Sequence, residues 1–111
     1  MKSIEFHDGK LYTEVRLKVK GKADVTHSMV IDTTSPHTII SERLQKELNL
    51  DVSKSGQEIT LSSFSIGPLK VSDFSVFKED IEVDGIIGLD FLKSVGAKIN
   101  LDSMTISSSR T

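Results

Sequence analysis

At residues 29–41 the chain reads Met-Val-Ile-Asp-Thr-Thr-Ser-Pro-His-Thr-Ile-Ile-Ser. One carboxylate, Asp32, stands between two apolar segments, and three hydroxyls follow it at once: Thr33, Thr34 and Ser35. Placing an ionised carboxylate beside apolar neighbours is costly. Asp32 is therefore either a turn residue that bonds its own backbone ahead of Pro36, or an acid–base group. Ser35 has no Gly-x-Ser-x-Gly frame around it and no base placed by sequence, which argues against a serine nucleophile. His37 reads as a rim residue rather than a general base. The three histidines, His7, His27 and His37, lack ligand-like spacing, so no metal site is expected. The absence of cysteine excludes disulfides and thiol chemistry.

A second stretch, residues 83–92, reads Val-Asp-Gly-Ile-Ile-Gly-Leu-Asp-Phe-Leu. Asp84 suits the start of an Asp-Gly turn, and Asp90 suits a helix cap. Gly85 and Gly88 suit close backbone packing. They do not form a phosphate loop, because no lysine follows in the required position, and no cofactor is expected.

The elements that must hold these residues are mostly strands. Residues 12–20 alternate, with Val15, Leu17 and Val19 on one face and Glu14, Arg16, Lys18 and Lys20 on the other. Gly21 marks a turn, and residues 25–31 return as a second strand that leads into Asp32. A loop covers 32–37, and a short β-branched strand covers 38–40. Ser41 is placed to cap a helix over 42–48, with Leu44 and Leu48 on one face. Strands over 59–66 and 69–77 meet at Gly67-Pro68, and residues 78–82 read as a charged connection. A helix over 91–95 stops at Gly96, and a hairpin turns at Asp102-Ser103. Phe74, Phe77 and Phe91 are expected in the core. Many short strands and two short helices predict a small, mainly β, barrel-like fold.

The bulk numbers agree. At 111 residues the chain fits one domain spanning 1–111, with a motif-bearing core at about 12–106 and a polar tail, 107–111, expected to fray. Hydrophobic residues make up 37% and charged residues 27%, which argues against disorder. A net charge of −2 without a long single-sign block gives no reason to expect a nucleic-acid or anionic-membrane partner. The N-terminus has no apolar signal-like run and no segment approaches a membrane span, so a cytoplasmic protein is expected.

Residues 31–40 resemble the active-site motif of the retropepsin-like aspartic proteases, in which apolar residues lead into Asp-Thr-Gly-Ala/Ser and then an aliphatic pair. Residues 83–92 resemble the family's aliphatic-aliphatic-Gly segment, which runs into its last helix; Ile87 and Gly88 hold that position. Residues 97–101 are similar to the strand that follows. Order and spacing agree from about Tyr12 to Ile106. The resemblance implies a single-lobe acid-protease barrel that dimerises and hydrolyses peptides, each subunit supplying one catalytic Asp, here Asp32. Two such carboxylates share a proton: one activates a water while the other protonates the scissile carbonyl. By the same resemblance Thr33 hydrogen-bonds across the two-fold axis, Thr34 and Ser35 complete the supporting loop, and a terminal strand joins an intersubunit sheet.

Two positions depart from the family pattern. Thr34 stands where the family has glycine, adding bulk and, if the family's backbone is kept, strain of about 1–3 kcal/mol. The flap, a glycine-bearing hairpin over the substrate, has only residues 51–58 available, unless 59–66 extend into one with Ser62-Ser63 as its tip. These departures raise an alternative, a catalytically weak or inactive domain of the same fold that serves dimerisation or peptide binding.

Overall fold

The structure is a computed structural model and describes residues 1–50 and 56–110. Two short strands open the chain, β1 (Lys2–Ser3) and β2 (Glu5–His7), neither of them evident from the pattern. The alternation around Val15 and Leu17 produces β3 (Lys10–Lys18), with both side chains fully buried and the intervening charges in solvent. Gly21, at φ +78°, turns the chain into β4 (Val25–Ile31), whose last three residues are all buried. After the Asp32 loop comes β5 (Ile39–Ser41), and then α1 (Glu42–Glu47). Ser41 caps this helix as expected: its hydroxyl accepts from Leu44 N–H at 3.1 Å. Asn49, at φ +55°, ends it.

The strands β6 (Glu58–Ile66) and β7 (Leu69–Glu79) form a long hairpin through Gly67-Pro68. Ser62-Ser63 is not a hairpin tip, because β6 runs straight through it, with Leu61 opposite Phe74 and Ser63 opposite Ser72. Part of the proposed flap segment, residues 51–55, lies outside the described residues. The charged connection is also shorter than expected. β7 continues to Glu79, and Lys78 is buried, with its Nζ 3.7 Å from Glu42 Oε1. The chain finishes with β8 (Gly85–Ile87), α2 (Leu89–Ser94), β9 (Ala97–Asn100) and β10 (Thr105–Ser108).

The tail does not fray through Arg110. Ser107 and Ser108 pair with Lys98 and Ala97, and Ser109 N–H donates to Gly96 O at 2.8 Å. Arg110 then caps the end of α2 through the carbonyls of Ser94 and Lys93.

Pairing between β3 and β6 closes a ring in the order β3-β4-β8-β5-β7-β6. Within it β4/β8 and β5/β7 are parallel, and the other pairings are antiparallel. The strand β2 extends the ring at β3, while β1, β10 and β9 form a separate three-stranded sheet. The fold is thus the mainly β barrel with two short helices that the sequence predicts. Phe91 of α2 packs inside on Phe64 and Phe74, with ring centroids 4.9 and 5.7 Å away. A buried phenylalanine in such a position is worth about 3–5 kcal/mol against alanine.

Candidate active site

Asp32 is the first residue after β4, and the β4/β8 pairing fixes where it sits. Ile31 lies opposite Ile87, and Asp32 N–H donates to Ile87 O at 3.0 Å. The loop then turns tightly, with Ser35 N–H reaching Asp32 O at 3.2 Å. The carboxylate is half-buried. Its Oδ1 accepts from both the hydroxyl of Thr34, at 2.5 Å, and the Thr34 N–H, at 2.8 Å. The hydroxyl bond is the main cause, and the backbone bond the next, that hold the Asp32 carboxyl below its ordinary pKa, outweighing partial burial. Asp32 is therefore a turn residue in the local sense. Oδ1 is engaged by Thr34, and among the described residues no hydrogen bond is made to Oδ2.

Thr34 carries no backbone strain. Among the described residues the non-glycine positions at positive φ are Asp8, Asn49, Asp73 and Met104, so the penalty expected for a β-branched residue in a glycine conformation does not arise at Thr34. Thr33 is exposed, and among the described residues no hydrogen bond engages its hydroxyl. Ser35 is half-buried and donates its hydroxyl to His37 O at 2.7 Å. His37 is exposed and rests on Phe77, with ring centroids 4.7 Å apart.

The second motif packs directly beneath this loop. Ile87 is fully buried. Gly88 has an ordinary extended backbone, so space rather than torsion demands glycine: a Cβ there would run into the carbonyls of His37 and Ser35. Leu89 N–H donates to Ser35 O at 2.8 Å, and Gly88 N–H to Thr38 Oγ1 at 3.1 Å.

Two residues of this network were not legible as such. Thr38, wholly inaccessible to solvent, donates its hydroxyl to Asp90 Oδ1 at 2.6 Å and its N–H to Asp90 Oδ2 at 2.9 Å. Asp90 is not the helix cap. Gly88 holds that position and Asp90 lies inside the first turn of α2, so its carboxylate is free to reach across to the loop. Each residue taken alone has an ordinary local reading, and no sequence spacing links positions 52 apart.

Asp84 leads into β8 from the end remote from Asp32. Its carboxylate accepts from Arg43 at 2.7 Å and lies 3.1 Å from His27 Nδ1, while His27 Nε2 contacts Glu47. Among the described residues no group of three or more His, Asp or Glu side chains is placed to hold a metal ion, and no helix is long and apolar enough to cross a membrane.

A family model described as aspartyl protease matches residues 15–91, which include both the Asp32 loop and the β8–α2 junction. No curated protein matches the chain significantly. Among solved structures, the retroviral protease-like domain of Ddi1 from Leishmania major is 21% identical, with a TM-score of 0.70 over 90% of this chain and 87% of that one. A retropepsin-like aspartic protease from Rickettsia conorii is 20% identical, with a TM-score of 0.71 over 92% of this chain and 84% of that one. At these identities the likeness is one of fold.

Proposed function

The chain belongs to the aspartyl protease family, and from that premise we propose that it is a retropepsin-like endopeptidase, active as a homodimer with Asp32 of each subunit in one catalytic pair. The observation that carries this reading is the setting of Asp32: a half-buried carboxylate on a loop bonded to β8 and α2, with one oxygen bound by Thr34 and the other making no hydrogen bond among the described residues. The motif segments offer no second free carboxylate, since Thr38 engages that of Asp90, and Arg43 and His27 engage that of Asp84. The second acid therefore comes from another copy, and a two-fold axis supplies it in equivalent geometry.

In such a pair the two carboxylates cannot both ionise, and their pKa values split. The ionised one takes a proton from a water, whose oxygen attacks the scissile carbonyl. The protonated one gives its proton to the carbonyl oxygen. Collapse of the tetrahedral species then releases the amine as it gains a proton. Thr33, exposed and without a hydrogen-bond partner for its hydroxyl among the described residues, has the position to bond across the axis. Thr34 stands in for the family's glycine and keeps the N–H that faces the Asp.

A second reading, a domain of the same fold that dimerises or holds peptides without cutting them, is favoured by one observation. The Thr34 side chain occupies ground beside Asp32 that glycine would leave open. The test is cleavage of a mixed peptide library, read by mass spectrometry from about pH 4 to 7. Asp32→Asn runs beside it, and sedimentation fixes the oligomeric state. Cleavage by a dimer that disappears in the variant is the expected result. A folded dimer that cuts nothing selects the second reading, and a monomer at every concentration sinks both.

A further inference from the structure

We propose that Asp90 is a positioning residue for the Asp32 loop, resting on the peptidase reading only for its kinetic consequence. The loop from Asp32 to Thr38 has two anchor points. At its start the backbone of Asp32 is bonded to Ile87 O, which places that residue. At its end both donors of Thr38, N–H and hydroxyl, close on the two oxygens of one carboxylate, Asp90. A planar carboxylate bonded through both oxygens fixes direction as well as distance.

The hydroxyl of Thr38 in turn accepts from Gly88 N–H, so its donor and an acceptor lone pair are both used. Asp90 Oδ1 also accepts from its own neighbour, Phe91 N–H, at 2.7 Å, which seats the carboxylate on α2. Between the anchors, Leu89 N–H holds Ser35 O and Ser35 Oγ–H holds His37 O. Thr38 O is itself taken by Phe77 N–H of β7 at 3.0 Å. The turn that aims the Asp32 carboxylate is thus braced by α2, and α2 is braced by Phe91 in the core. Asp90 touches no reacting atom; it acts through Thr38.

The test compares Asp90→Asn with Ser41→Ala in the whole chain. Asparagine keeps the shape but presents an amide N–H₂ to one of the two Thr38 donors. Ser41→Ala removes the cap of α1, a comparable structural loss that lies outside this network. Two readouts are taken: amide hydrogen exchange over residues 33–38, and kcat and KM on the best library peptide.

Asp90→Asn is expected to speed exchange across the loop and to lower kcat by about 10- to 100-fold, with a much smaller change in KM, as misaimed catalytic groups do. Ser41→Ala is expected to do neither. Unchanged loop exchange in Asp90→Asn overturns the proposal. So does faster exchange with kcat within twofold of the parent, since that describes a structural role alone. If Asp90→Asn does not fold, Thr38→Val, which removes one of the two donors, carries the same expectations. A parent chain without Asp32-dependent cleavage ends the peptidase reading. The exchange measurement then decides by itself whether Asp90 holds the loop.

Discussion

Thr34 gives two hydrogen bonds to a single oxygen of Asp32, the hydroxyl at 2.5 Å and the N–H at 2.8 Å from Oδ1. The residue that departs from the family motif, and was expected to add only bulk and strain, is therefore bonded to the carboxylate itself. Both bonds favour the ionised carboxylate. Thr34→Val keeps the branched shape and removes the stronger donor, so the Asp32 carboxyl should titrate at higher pH. Carbon-13 NMR of that carboxyl measures this directly, and the acidic limb of the pH–rate profile should move toward neutrality with it. Thr34→Gly should move the limb the same way while lowering KM, because it also clears the ground beside Asp32. An unmoved carboxyl titration in Thr34→Val would refute the role given to the hydroxyl.

The His27 cluster predicts a pH-dependent stability with a definite sign. Burial of the ring disfavours its charge, but the hydrogen bonds its N–H groups donate to Glu47 and Asp84, with the attraction of those two charges, more than compensate, so the pKa of His27 is raised in the fold. For Asp84, burial likewise opposes ionisation, and the bonds from Arg43 and His27 outweigh it, leaving its pKa lowered and its charge in place near neutrality. A raised histidine contributes stability that is complete below its unfolded value of about 6.5 and is lost as pH rises through the folded value. His27→Asn should therefore cost about 0.5–1 kcal/mol at pH ~5.5 and much less at pH ~8.5, a modest figure because Glu47 is half exposed. Urea unfolding of both proteins at the two pH values measures the difference; equal costs at both would rule out the charged pair.

Gly88→Ala should be among the most damaging small substitutions in the chain. Its methyl meets two backbone carbonyls of the Asp32 loop, which cannot swing aside as a side chain can. Relief requires separating the loop from α2 and lengthening the Leu89–Ser35 hydrogen bond. A loss of about 1–3 kcal/mol is expected, as for other overpacked sites, together with lost cleavage. Thermal unfolding and the peptide assay check the two parts. Gly9→Ala is the comparison: it meets open space and bears only the strain of a φ of +76°.

Ending the chain at Ile106 should destabilise it by about 2–3 kcal/mol, read from the urea midpoint. The estimate counts the lost strand pairing of Ser107 and Ser108 and the caps from Ser109 and Arg110 on the end of α2, at about 0.5–1.5 kcal/mol per net hydrogen bond. A tail that merely frays would leave the midpoint unchanged.

What the sequence disclosed, and what it withheld, divide by distance along the chain. Val15 and Leu17 announce their strand because alternation is local, and Ser41 announces its helix because a cap and the N–H it accepts from lie three residues apart. Gly67-Pro68 marks the β6–β7 turn for the same reason. Asp90 was misread because its local propensity, capping, is genuine but loses here to a tertiary partner in another element. Lys78 was misread because a charge run usually marks solvent, whereas this lysine pairs with Glu42 from a buried strand. The strands β1 and β2 and the docked tail escaped notice because each is held by a partner strand rather than by its own pattern. Asp32 was legible as the residue that ends a strand and opens a turn. Its partner within the chain, Thr34, was seen only as bulk, because hydrogen-bond direction is not written in residue type.

The parallel pairing of β4 with β8 sets when the site comes into being as well as where. Everything that aims Asp32 from the other side, from Ile87 to Asp90, follows it by more than fifty residues. Contacts that span such lengths require the entropy of closing the intervening loop to be met before they form. Until then Asp32 lies on an unanchored segment without a defined direction. A partly synthesised, clipped or locally unfolded copy therefore presents Asp32 without the strand and helix that orient its loop, because both lie in the last quarter of the chain.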